Sequence, residues 1–380
     1  MSATSGFSLS RVMAMMIKEF IQLRRDRMTF AMILAIPIMQ LVLFGYAINT
    51  DPKELPTLVT SAENGPEVRA VIAALATSRY FQIAPGFVSE AEAARALVDG
   101  SAAYVISIPP GFGRDLVRGL RPQLLVEADA TDPSASANAL AGLPEILASA
   151  LSTTLTGPLA PEATAPTPVD VVIHRRFNPE GITAYNIVPG LLGTILTMTT
   201  ILMTALALTR ERERGTLENL MATPATAFEI MLGKIVPYIG IGSIQVAIII
   251  VCARLLFSVP MLGSLTLLIG ITFLFIAASV TLGYTFSTIA RTQMQAMQMT
   301  FFWFLPSILL SGFMFPFRGM PEWAQAIGSI LPLTHYIRSV RGIMLKGSGP
   351  ADLIGEIWPL ALFWLAVAAI AMLRYRRTLD

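Results

Sequence analysis

Apolar residues in this chain gather into long runs, and the runs divide it before any single residue is considered. A helix needs about 20 apolar residues to cross a hydrocarbon core. Six stretches reach or approach that length: 28–48, 182–208, 235–257, 262–289, 297–317 and 357–373. The last is short and contains Pro359. Between the first and second runs, over 49–181, the pattern changes to short alternating segments. LPTLVT, RYFQIA, AAYVISI, QLLVEAD and VDVVIHR read as strands, with β-branched and aromatic residues at period two. PEVRAVIAALA, SEAEAARALVDG, PGFGRDLVRG and SASANALAGLPEILASALSTTL read as helices, the second capped by Ser89 and ended by Gly100. TGPLAPEATAPTPV is a Pro/Ala/Thr linker within the segment. The expected fold class is an α-helical polytopic membrane protein with six transmembrane helices and an inserted α/β extracytoplasmic domain at 49–181.

Charge orients the spans. The segment before the first span, the loops after spans two and four, and the C-terminal tail carry 13 of the 27 Lys and Arg residues. Cationic loops stay on the cytoplasmic side, so both termini are expected in the cytoplasm. Within residues 1–27, Val12, Met16, Phe20 and Leu23 form one stripe and Arg11, Lys18, Gln22 and Arg25 the other, the pattern of an interfacial helix. The first span is too long for a signal peptide and lacks a small-residue cleavage site, so it reads as an anchor. The outer segment holds 15 acidic and 9 basic residues, and long loops translocate whatever their charge.

Composition narrows the function. Hydrophobic residues make up 54% of the chain and charged residues 14%, against about a quarter charged in soluble domains. A net charge of +2 without a clustered basic surface argues against nucleic acid as a partner. One cysteine, Cys252, excludes an intrachain disulfide and a cysteine metal cluster, and His174 and His335 lack ligand-spaced neighbours. No GxxxxGK[ST] loop is present, so the chain cannot bind nucleotide in the P-loop manner. Asp129 and Asp132 read as turn chemistry rather than a catalytic pair. No catalytic or metal site is expected.

Three segments carry candidate function. The loop 209–234 contains RERERGTLENLMATP, in which Leu217, Leu220 and Met221 fall on one helical face. By itself it is either a topology-fixing loop or a short helix that touches something in the aqueous phase. In span two, Asn186, Gly190, Gly193, Thr197, Thr200 and Thr204 follow at spacings of three and four, a single small and hydroxylic face. Such a face is either a close-packing surface or the lining of a path or dimer seam. Span five brings Gln293, Gln295 and Gln298, which must face protein or water rather than lipid. Between spans five and six, 318–356 is too densely charged to cross and reads as two short helices broken at Pro332, a hairpin dipping into the outer leaflet. Arg338, Arg341 and Lys346 there breach the positive-inside trend, and His335 reads as a hydrogen-bonded interfacial residue. No Asp or Glu lies deep in a span, which counts against an ion-coupled carrier.

The order of these elements, with the strings ERERGTLENLMATP, SGFMFPFRGMPEW, LPLTHYIRSVRGIMLKG, VISIPPGFGRDL and ADATDPSASANAL, resembles the permease subunits of ABC-2 type exporters, in the drug-exporter-like branch with a large outer domain. The resemblance spans essentially the whole chain, and the ExExGTxExL string is its most specific part. It implies that the segment from Glu211 to about Ala222 is a coupling helix docking on a separate cytoplasmic ABC ATPase. Glu211, Glu213 and Glu218 would meet donors of that ATPase, Gly215 and Thr216 would set the turn and cap, and Leu217 and Leu220 would lie on the apolar face. It further implies that ATP and Mg are bound by the partner and no cofactor by this chain. A second permease copy or a paralogue would complete the transport unit in a bacterial inner membrane, with room for a periplasmic adaptor. The small face of span two, with Gln298, becomes the candidate substrate path or dimer seam. A membrane sensor or scaffold with a ligand-binding outer domain, and a secondary transporter, are the alternative readings.

Overall fold

A computed structural model describes residues 53–131, 133–154, 168–213 and 227–377. The expected interfacial helix at 1–27, the span at 28–48 and the docking residues Gly215, Thr216, Leu217, Glu218 and Leu220 lie outside the described residues, as does most of the Pro-rich linker.

The alternating segment forms a five-stranded sheet in the order β2-β1-β3-β4-β5. Its strands are β1 (Leu55–Ser61), β2 (Phe81–Ile83), β3 (Tyr104–Ile108), β4 (Gln123–Asp129) and β5 (Asp170–Arg176). β1 runs parallel to both β2 and β3, β4 is antiparallel to β3, and β5 is parallel to β4. Parallel neighbours need a crossover, and helices supply it: α1 (Pro66–Thr77), α2 (Glu90–Asp99) and α4 (Pro133–Thr154), with the short α3 (Phe112–Val117) leading into the reversed strand. Strand alternation sorts the side chains between two faces. Val59, Tyr104 and Ile106 pack with Val68, Val71 and Leu75 of α1 and Leu143, Leu147 and Leu151 of α4. Leu58 and Val105 point the other way, onto Ala93 and Leu97 of α2. The Ser89 side chain accepts a hydrogen bond from the Glu92 N–H at the start of α2, and Gly100 ends the helix at φ 77°, left-handed backbone that favours glycine. β5 closes one edge of the sheet and is exposed along most of its length.

The remainder is helical: α5 (Thr183–Glu213), α6 (Ala227–Phe257), α7 (Leu265–Ile289), α8 (Gln293–Leu310), α9 (Glu322–Gly328), α10 (Pro332–Arg341) and α11 (Ile354–Arg377). Among the described residues four helical stretches are long and apolar enough to cross a membrane: Thr183–Glu211, Pro237–Phe257, Leu265–Ile289 and Ile354–Arg374. α7 is central and packs against α5, α6, α10 and α11. α6 and α11 keep Ile244, Ile248, Leu255, Leu362 and Leu365 largely exposed, as helices facing lipid do.

The helices differ from the expected apolar runs at most ends: α6 begins at Ala227 rather than 235, and α7 at Leu265 rather than 262. Span two continues past 208, so Arg210 to Glu213 form the last turn of α5. Span six extends beyond 357–373 at both ends, and Pro359 near its start does not break it. Span five begins and ends earlier than 297–317: α8 stops at Leu310, and Gly312 turns the chain through a left-handed φ of 79°. With 18 residues and three glutamines, α8 is less apolar than the four other stretches.

The hairpin residues fold as the break at Pro332 predicts, α9 followed by α10 with Pro332 in its first turn. Here, though, α10 is not a surface element. Leu333, Tyr336, Ile337 and Val340 are fully buried in the helical core. The Tyr336 ring stacks on Phe275 of α7 at 4.1 Å, and its hydroxyl lies 2.9 Å from that of Thr272. After α10 the backbone widens into a π-helical turn, Gly342–Lys346, closed by Gly347 at φ 70°.

Helix approach depends on glycine at one crossing above all. A Cβ on Gly283 of α7 would lie 2.5 Å from the carbonyl oxygen of Ile201 on α5, a backbone atom that cannot move aside. Gly283→Val is expected to cost about 1–3 kcal/mol through overpacking, read as a lower thermal midpoint in detergent. Gly270→Ala on the same helix meets nothing within 4 Å and should leave the midpoint unchanged.

Candidate functional site

The six small residues of span two all lie in α5, and this chain itself fills the face they form. A Cβ on Gly190 would meet the Phe313 ring, and one on Gly193 would meet Leu333 and Tyr336 of α10. Thr204 packs beside Gly283 of α7. Thr197, Thr200 and Thr204 are 2–3% exposed, and each hydroxyl donates to the backbone carbonyl four residues earlier. The Asn186 carbonyl sits 3.5 Å from Arg341 Nη2. The face therefore serves close intrachain packing, with its hydroxyls internally satisfied. Gln298 stands apart from it, half-buried on α8. What α5 leaves open is another stripe, Ile187, Leu191, Ile195 and Met203, each about 40% exposed. α8 likewise exposes Met294, Met297, Phe301 and Phe302.

At the far end of α5, Glu211 and Glu213 are part of the helix rather than of a separate loop element. The Glu213 carboxylate accepts from the backbone N–H of Gln293 at 2.7 Å and from its side-chain amide. Gln293 is the first residue of α8, where N–H groups lack helical partners and the helix dipole favours an anion. The Thr292 side chain caps the same turn by accepting from the Gln295 N–H at 3.2 Å. These hydrogen bonds from Gln293 hold the Glu213 carboxyl below its ordinary pKa. The tie is intact while the carboxyl is ionised and is lost only as pH falls through that depressed value. So one of the expected docking acids is joined within the chain to the start of span five. Sequence reading flagged Gln293 as needing a polar neighbour but did not find Glu213.

The opposite end of the bundle meets the sheet domain, and there the cations that breach the charge trend find their partners. Lys346 Nζ lies 2.6 Å from Asp129 Oδ2 and 3.0 Å from the Leu97 carbonyl, and both charged side chains are largely buried. Asp129 also does the turn chemistry expected of it, since its Oδ1 accepts from the Thr131 N–H and hydroxyl. An Arg318 Nη2 N–H donates to the Gly100 carbonyl at the end of α2. Arg341 donates to the Gly312 carbonyl at 3.1 Å. Arg338 stacks 4.3 Å above the Phe317 ring and pairs with Glu356 at 3.4 Å. His335 Nδ1 is 2.5 Å from Glu356 and Nε2 is 2.7 Å from the Ser329 carbonyl, so it is hydrogen-bonded on both sides. The signal for this cluster was in the sequence: cations gathered between two apolar runs need acids or carbonyls to meet them. Among the described residues no group of three His, Cys, Asp or Glu side chains could hold a metal.

A bundle of apolar helices joined to a mixed sheet, with polar ties at both ends, has the build of a membrane transport subunit. The sequence matches the ABC-2 family transporter protein family over residues 27–373, and the chain belongs to that family. It is 28% identical over 375 residues to the probable multidrug ABC transporter permease YbhS of Escherichia coli (strain K12), covering 98% of each chain. It is 25% identical over 367 residues to the probable multidrug ABC transporter permease YbhR of the same strain, covering 97% of this chain and 98% of the other. To the inner membrane transport permease YhhJ, also of that strain, it is 29% identical over 316 residues, 78% of this chain and 79% of the other. No solved structure matches the chain significantly.

Removing one partner of a buried ion pair strands the other, at a cost of about 3–5 kcal/mol. Asp129→Ala and Lys346→Met should each approach that loss in denaturant or thermal unfolding. The double variant should lose clearly less than the sum; additive losses would mean that the two charges do not depend on each other.

Proposed function

We propose that this chain is the permease subunit of an ATP-driven exporter in a bacterial inner membrane, with both termini cytoplasmic. The chemistry of ATP and Mg belongs to a separate ABC ATPase, and the permease itself is not an enzyme. Its cargo is a hydrophobic or amphiphilic, drug-like molecule, the class that the names of two relatives carry. A second permease copy or a paralogue completes the membrane pathway. The exposed apolar stripes of α5 and α8 are the surfaces available to that copy and to the span at 28–48, and the periplasmic end could engage an adaptor through the sheet domain.

Family membership supports the transport role, and the tie between Glu213 and Gln293 carries the coupling reading. The segment from Glu211 to about Ala222 would dock on the ATPase through Glu211, Glu218, Leu217 and Leu220, with Gly215 and Thr216 shaping its turn. Glu213 has a different part. It stands where that segment leaves α5 and binds the first turn of α8, so displacement of the docking segment pulls on two spans together. A rigid helix of 31 residues then carries the movement toward the sheet-domain end.

The test compares Glu213→Ala with Gln293→Ala in the complete permease–ATPase complex. Both are expected to leave the ATPase bound. Glu213→Ala should lower cargo-stimulated ATP turnover about tenfold. Gln293→Ala, which removes the side-chain donor but keeps the backbone N–H, should lower it less, with the double variant no worse than Glu213→Ala alone. If Glu213→Ala instead releases the ATPase while Gln293→Ala has no effect, then Glu213 is a direct docking contact and the relay is wrong. A wild-type permease that recruits no ATPase at all would remove the exporter reading itself.

A further inference from the structure

Where the sheet domain meets the hairpin there is a cavity of about 420 Å³. Its walls come from the end of α2, the starts of β3 and α11, and the chain between α8 and α11. Thirteen of its residues are polar or charged, unlike the mostly apolar walls of a typical small-molecule pocket. The question is which of those groups still has hydrogen-bonding capacity.

The acids do not. Asp129 is engaged by Lys346 and Thr131, and Glu356 by His335 and Arg338. Asp352 accepts from the Gly349 N–H at 2.7 Å, and Asp99 from the Ser101 N–H at 2.8 Å. Among the cations, Lys346 has its acid, Arg338 has both Glu356 and the face of Phe317, and Arg341 donates to the carbonyls of Gly312 and Asn186.

Arg318 is different. One arm of its guanidinium donates to the Gly100 carbonyl, but Nη1 is buried and has no partner among the described residues. Among the described residues no carboxylate lies within ion-pair distance of it. A guanidinium withdrawn from water without a counter-charge is costly. Burial lowers the Arg318 pKa most, the charge of Asp129 raises it in part, and the like charge of Arg338 lowers it further. What Arg318 Nη1 lacks is an acceptor within hydrogen-bond distance, although four carboxylates line the same cavity.

We propose that the cavity binds a phosphate group, held by the Arg318 guanidinium, which turns its unpartnered Nη1 toward it, and flanked by Arg338. A guanidinium fork matches phosphate oxygens well. The volume exceeds what inorganic phosphate needs and leaves room for the group esterified to it. The height in the bundle also fits a phospholipid headgroup, because Ser311 and Gly312 directly follow α8 and Gly355 and Glu356 belong to the first turn of the membrane-length α11. Occupancy would bridge the sheet domain and the helical bundle at their junction.

The experiment titrates the purified full-length permease with three probes and reads the thermal midpoint, with native mass spectrometry to count bound molecules. The probes are phosphatidylglycerol in mixed micelles, diacylglycerol of the same chain length, and inorganic phosphate. Phosphatidylglycerol is expected to bind and raise the midpoint and diacylglycerol to do neither. An equal response to inorganic phosphate alone would make the free anion the source rather than the lipid. Arg318→Gln should weaken phosphate-dependent binding at least tenfold. Arg318→Lys, which keeps the charge but not the fork, should weaken it several-fold and covers the case in which the glutamine variant does not fold. Arg114→Gln, an equal charge change on the exposed surface of the sheet domain, should bind as wild type does. Wild-type binding in both Arg318 variants, or no response of wild type to either phosphate probe, overturns the proposal.

Discussion

A cation that leaves water must be met by something, and at the junction of sheet and helices the protein itself does the meeting. Lys346 could not sit where it does without Asp129, and Asp129 belongs to the end of a strand in the other half of the molecule. Arg318 makes a similar crossing to the end of α2, and Arg341 binds carbonyls at the ends of helical segments. Positive charge here thus acts as joinery. It fixes the sheet domain on the bundle at a few directional contacts, where two greasy surfaces would leave the angle loosely defined.

The core under that junction is organised by small residues. α7 approaches α5 closely enough that Gly283 touches backbone, and α10 enters the bundle because Gly193 leaves room for Leu333 and Tyr336. Helices cannot rely on the hydrophobic effect to associate inside a membrane, so shape and close contact take over. The threonines of α5 fit this role. Returning their hydroxyls to their own helix lets them line a tight interface without demanding a partner across it.

Much of the fold was legible because its signals are periodic. Alternation located each strand of the sheet, Ser89 and Gly100 bracketed α2, and Pro332 marked where α10 begins. Hydropathy located the four described stretches that are long and apolar enough to cross a membrane, but not their ends. It carried span five through to 317, although the left-handed turn at Gly312 had already stopped the helix, and it cut span two short because charged residues in the last turn of α5 look like loop. The spacing of the small face was correct, yet spacing cannot say which neighbour fills a groove. Long-range pairs were the least legible. Glu213 with Gln293 and Asp129 with Lys346 join positions 80 and 217 residues apart, and nothing local in either stretch names its partner.

The π-helical turn after α10 has a consequence of its own. Such a turn holds one more residue than an α-helical turn of the same chain. Losing a single residue within 342–346 would close the widened turn, shorten the chain between α10 and Gly347, and draw Lys346 off Asp129. Length here acts like a key's cut: with Ile343, Met344 and Leu345 buried and Lys346 paired, neither the number nor the size of these residues is free to change.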